Sequence, residues 1–171
     1  MIDLEELAAL TGIAPESAEP LTFRCAVALE RRHRPGAILT GDSNGLELRE
    51  ELRWRQRAPD VVLHEDLNKV TEEGAEAIAL AVAALRRSWR VTRRLRSRLA
   101  EGADWLLHDP ANGSRIILEV GGTDERDVDA LLEQKVAQVS RSPFASTSET
   151  AACVVRFREP KARLWSSDES R

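Results

Sequence analysis

The chain has no tyrosine, one methionine, three histidines and two cysteines among its 171 residues. Cys25 and Cys153 sit in apolar stretches and have no metal-ligand spacing. They are expected to be reduced, buried core residues of a cytoplasmic protein. No apolar run reaches the length of about 18 residues that a membrane span needs, so no membrane partner is expected. The opening Met1-Ile2-Asp3-Leu4-Glu5-Glu6 is acidic and lacks a signal-peptide pattern. There is no Walker loop, dinucleotide glycine motif, nucleophile elbow or zinc-cysteine pattern. His33 and His108 have no evident partner, and His64-Glu65-Asp66 reads as a solvated loop. The net charge of −4 gives no general push toward nucleic acid.

What is present is a core. Apolar residues make up 42% of the chain, enough for one domain of ordinary size. Ile2, Leu4, Leu7 and Leu10 predict a short amphipathic helix, and Pro15 and Pro20 bracket a linker. A helix over 21–33 stops at Pro35-Gly36. Strands at 37–40 and 46–56 flank Gly41-Asp42-Ser43-Asn44-Gly45 and form a hairpin. On the second strand Leu46, Leu48, Leu52 and Trp54 share the apolar face. Thr71 is the expected N-cap of a helix to about Ser88, with Ala75, Ile78, Ala79, Val82 and Leu85 as its buried stripe. Strands follow at 89–99 and around Asp104 and Glu119, then a helix over 127–140 and a strand over 151–157.

Charge is distributed unevenly. Between Ala77 and Ala100 there are seven arginines and no acid. In strand register Arg90, Arg94, Arg96 and Arg98 share one face, a stripe suited to phosphates or to an acidic partner, and Arg93 is the misfit on the apolar face. Asp104 and Glu119 fall on neighbouring strands if Pro110-Ala111-Asn112-Gly113 makes the turn. Two carboxylates on facing strands suit a hard divalent cation, which prefers oxygen ligands.

From Thr71 the order is helix, three strands, helix, strand, with acids on the second and third strands. That order and spacing resemble the PD-(D/E)xK nuclease superfamily over about residues 71–157. The resemblance implies an α/β fold: a restriction-endonuclease-like αβββαβ core, its mixed sheet flanked by helices. The N-terminal helix and β-hairpin (1–60) become an extension packed on a core at 61–165, with a disordered tail at 166–171. It also implies a metal-dependent nuclease-like domain acting on or binding the nucleic-acid backbone. Asp104 and Glu119 would hold Mg²⁺ or Mn²⁺, with Glu72 on the first helix as a further ligand. Ala103 stands where the family often has proline, and Gly121 stands where it has its lysine.

Lys135 is the candidate replacement. At about 100° per residue, Val128, Leu131, Leu132 and Val139 define the apolar stripe of its helix, and Lys135 falls within it. A lysine there either snorkels to the sheet edge or meets a carboxylate. Gln134 and Gln138 flank the stripe and resemble the helix glutamine of some superfamily members. Gly121-Gly122 allows close backbone approach or simply ends the strand. The second reading is an inactive nuclease fold serving as a binding or assembly subunit. Its partner surfaces, toward a protein or a second copy, would be the arginines and the Leu4/Leu7/Leu10 helix.

Overall fold

The computed structural model describes residues 1–57, 66–95 and 102–168. The fold is α/β. Strands β1 (Ile2–Asp3), β2 (Ala37–Ser43), β3 (Leu46–Arg53), β4 (Arg90–Arg94), β5 (Trp105–His108), β6 (Arg115–Thr123), β7 (Glu149–Arg156) and β8 (Lys161–Ser166) form one sheet. Its order is β1-β3-β2-β8-β7-β6-β5-β4. The sheet is mixed: β6 runs parallel to β7 and β2 to β8, while β4–β5, β5–β6 and β7–β8 are antiparallel. No described helix is long and apolar enough to cross a membrane.

Helices α1 (Leu7–Thr11), α2 (Pro15–Glu30), α3 (Leu67–Arg87) and α4 (Val128–Ser140) cover this sheet. Helix α3 is buried almost all round, because one side meets the sheet and another meets α2. Small residues permit the close approach: a β-carbon on Gly74 would lie 2.9 Å from Cys25 Cα. Helix α4 covers the opposite face, where Leu131, Leu132 and Val139 pack with Leu106, Ile117 and Val154. Both cysteines are buried and free, as expected.

Several boundaries differ from the sequence expectation. Helix α3 is capped by Asp66, whose carboxylate accepts from the Asn68 and Lys69 amides, and Thr71 is a buried residue inside it. Pro15 and Pro20 belong to α2, with Pro15 in the first turn, where its missing N–H costs nothing. The first ten residues form β1, a short 3-10 turn and the start of α1. Leu4 and Leu7 are fully buried there, so they offer no partner surface. Leu46 is exposed, not part of the apolar face.

The hairpin β2–β3 is not an appendage. It continues the core sheet through β8, with Thr40 opposite Lys161 and Ser43 opposite Leu164. Ser166, placed in a disordered tail by the sequence, is buried at the end of β8, and its amide donates to Asn44 Oδ1. From Leu67 the element order is helix, three strands, helix, strand, as the sequence reading has it.

Candidate functional site

Strands β5 and β6 form the hairpin expected around Gly113, whose φ of +72° suits glycine. Trp105 lies opposite Leu118. Asp104, one residue earlier, donates its amide to the Leu118 carbonyl, and its Oδ2 accepts from the Val120 amide at 2.8 Å. The ladder thus carries Asp104 to the level of Glu119 on the neighbouring strand.

Glu119 is buried and accepts a hydrogen bond from Lys135 Nζ at 2.6 Å. Both alternatives for Lys135 are thereby decided: it meets a carboxylate. Burial pushes the Glu119 carboxyl above its usual range, and the Asp104 charge and a side-chain hydrogen bond with Asp104 push the same way. Lys135 opposes that rise but does not overcome it.

Gly121, two residues along β6, faces the same helix. A β-carbon there would lie 3.2 Å from Lys135 Cε and 3.4 Å from its Cγ. The missing side chain leaves the room that the lysine stem fills. Gly122 faces the other way, and a β-carbon on it would come within 1.9 Å of the Thr71 carbonyl oxygen. The two glycines thus allow close approach on opposite faces of the sheet, by a flexible side chain at Gly121 and by backbone at Gly122.

Asp104, Gly121, Gly122 and Lys135 line a cleft of about 450 Å³ that also takes in Glu72, Glu73, Glu76, Arg94, Arg126 and Gln134, while Glu119 is buried behind this lining, in contact with Lys135. Glu72 is exposed there. The buried carboxylate of α3 is Glu76, one turn further on, which sequence reasoning missed. Its Oε1 accepts from Arg94 Nη2 at 2.7 Å and its Oε2 from Trp105 Nε1 at 2.8 Å. Burial raises its pKa from 4.5 to about 7, and Arg94 offsets only part of that rise. The signal was available: Glu76 is the sole acid between Gly74 and Ser88.

The arginine stripe does not survive as a single face. Arg90 donates to the Leu10 carbonyl, and the register of β4 shifts between Val91 and Arg93. That shift places Arg94 opposite Trp105 and toward α3. Arg96 and Arg98 lie outside the described residues, as do His64 and Glu65. Gln134 lines the cleft, whereas the Gln138 carbonyl packs against Gly102.

Comparison with protein-family models, curated proteins and solved structures gives no match. The chemistry therefore has to be read from the donor set. Among the described residues, no three His, Cys, Asp or Glu side chains cluster to hold a metal ion. Two carboxylates do meet, Asp104 and Glu119. That set fits Mg²⁺ or Mn²⁺, because Mg²⁺ is usually held by one or two carboxylates together with waters and substrate phosphates. It offers none of the cysteine or histidine ligands that make up structural zinc sites.

Proposed function

We propose that this chain is a divergent PD-(D/E)xK-type nuclease that hydrolyses nucleic-acid phosphodiester bonds. The observation that carries the reading is the Lys135–Glu119 contact of 2.6 Å beside Asp104, with the lysine stem over Gly121. The observed element order from α3 to β7 supports the same reading.

Asp104 and Glu119 would hold the divalent cation. When bound, that ion lowers the pKa of water and neutralises charge on the phosphoryl oxygens. Lys135 donates to Glu119, which keeps its ammonium at the site where phosphate charge develops. The Val120 amide fixes Asp104 through Oδ2. No aromatic side chain lines the cleft among the described residues, so base stacking is not expected to guide substrate choice.

The test is cleavage of labelled single- and double-stranded DNA and RNA with Mg²⁺ or Mn²⁺. It compares the native chain with Asp104→Asn, Glu119→Gln and Lys135→Ala. Metal-dependent cleavage that all three variants lose supports the nuclease. Metal-dependent cleavage that survives all three rejects this site. An absence of cleavage by the native chain, with nucleic-acid binding retained, moves the reading to a binding subunit.

A further inference from the structure

A carboxylate in the middle of an alanine-rich, doubly covered helix is an expensive choice. An apolar residue of similar size at position 76 would avoid the desolvation cost. Glu76 is instead buried with both oxygens engaged, one by Arg94 and one by Trp105. The Arg94 guanidinium also stacks on the Trp105 ring, with Cζ 5.4 Å from the centroid. Arg94 is thus held at one edge by a carboxylate and at one face by an indole.

The strand carries a second cost aimed at the same side chain. Thr92 is an extra residue between Val91, opposite Leu107, and Arg93, opposite Leu106. Bulges of this kind re-aim a side chain. Without this one, alternation would send Arg94 to the face opposite Val91. With it, Arg94 turns toward Glu76. Yet the arginine is not consumed by the pairing. Its side chain is 55% exposed, it lines the cleft beside Asp104 and Lys135, and Nη2 is its only nitrogen with a hydrogen bond among the described residues.

We propose that Glu76 is a positioning residue that presents Arg94 as the phosphate-binding fork of the cleft. The ligand is a phosphodiester of the nucleic-acid backbone, a partner whose oxygens match the planar donors of a guanidinium. This rests on the nuclease reading and extends it: Glu76 serves the substrate through Arg94, and its two hydrogen bonds make it an anchor.

The two possible roles of Glu76 predict opposite signs. As a mere nearby negative charge it repels phosphate, and Glu76→Gln tightens binding. As the anchor of Arg94 it improves binding, and Glu76→Gln weakens it. Isothermal titration with a phosphorothioate-linked thymidine decamer, and with inorganic phosphate, reads this sign in Mg²⁺ and in EDTA. The expected result is decamer affinity at least about tenfold lower in Arg94→Gln, the size of one lost charge-assisted contact. Glu76→Gln is expected to weaken binding too, despite the lost negative charge. Should Glu76→Gln fail to fold by circular dichroism, Arg94→Lys decides, since it keeps the charge and loses the fork; it is expected to bind more weakly than the native chain.

Native-strength binding by Arg94→Gln or Arg94→Lys overturns the inference, as does tighter binding by folded Glu76→Gln. No saturable binding by the native chain in either condition overturns it as well. Binding of inorganic phosphate alone, without the decamer, overturns the assignment to a backbone phosphodiester. The nuclease reading fails separately: Arg94-dependent decamer binding without cleavage of the natural linkage leaves the fork in place and removes the hydrolysis.

Discussion

Lys135 and Gly121 share one space. The lysine stem, anchored to Glu119 at 2.6 Å, runs where a β-carbon on Gly121 would come within 3.2 Å of Cε. A lysine on the strand and a lysine on the helix are therefore alternatives here. If the ammonium matters for cleavage, moving it back should restore what its removal takes away. Lys135→Ala is expected to lose cleavage by about 100-fold or more, the scale of one preorganised charged donor. The double variant Gly121→Lys/Lys135→Ala should recover a measurable part of it. Cleavage rates of the four combinations form a cycle that checks this, and no recovery would count against a role for the ammonium itself.

The two adjacent glycines should respond differently to alanine. At Gly121 the obstacle is the flexible stem of a lysine, which can give by a few tenths of an ångström. Gly121→Ala is expected to cost under about 1 kcal/mol. At Gly122 the obstacle is the Thr71 backbone carbonyl, 1.9 Å from the added carbon, with Ala75 Cβ behind it at 2.9 Å. Gly122→Ala must push α3 off the sheet, and about 3 kcal/mol or more is expected. Urea unfolding of both variants gives the comparison. Equal losses at the two sites would be inconsistent with this packing.

Glu76 makes stability depend on pH in an unusual direction. Its folded pKa, about 7, lies above the ordinary 4.5. Below about pH 4.5 the carboxyl is protonated in both states and costs nothing. Between 4.5 and 7 only the unfolded chain ionises, so stability falls as pH rises. The shift corresponds to a loss of about 3 kcal/mol by neutral pH. Glu119, raised for the same first reason, adds to the trend. Glu76→Gln should flatten the slope measured by denaturant unfolding across this range. A slope as steep as that of the native chain would show that Glu76 does not titrate in the folded protein.

Divalent cations should raise the melting temperature. Binding to the folded state alone stabilises by about 2.7 kcal/mol at a hundredfold excess over Kd. Asp104→Asn keeps an oxygen for the Val120 amide and removes the charge, so it tests the ion and spares the backbone contact. Thermal melts with Mg²⁺ and Mn²⁺ are expected to shift for the native chain and not for Asp104→Asn or Glu119→Gln. A shift of similar size in both variants would place any bound ion elsewhere.

The Lys135–Glu119 contact was legible because helical periodicity put a cation inside an apolar stripe, and a buried cation calls for an anion. Glu76 was not, because α3 was read as a helix with one buried face. It has two, since α2 covers the side away from the sheet. The bulge in β4 left a trace in the sequence, the misfit of Arg93, but alternation alone cannot say where an extra residue enters. Strand β8 was missed for a different reason. Its inward residues are Ala162, Leu164 and Ser166, and only one of these is strongly apolar. Sheet membership there is enforced by neighbours on both sides, which a local pattern does not contain.

Strand β8 is made long after β2, yet it lies between β2 and β7 in the finished sheet. While the chain emerges from a ribosome, the hairpin β2–β3 and the strands β4–β7 can each form, but no strand pairing joins them. Until β8 arrives, β2 and β7 each present an open row of amides and carbonyls. The last strand closes both rows at once, with partners such as Thr40 and Lys161 that are about 120 residues apart in the chain. Contacts so distant in sequence make for slow folding. Cutting the gene between the hairpin and α3 would therefore yield two fragments, each with an exposed sheet edge; the second would hold every residue that lines the cleft but would lack α2, the cover of α3.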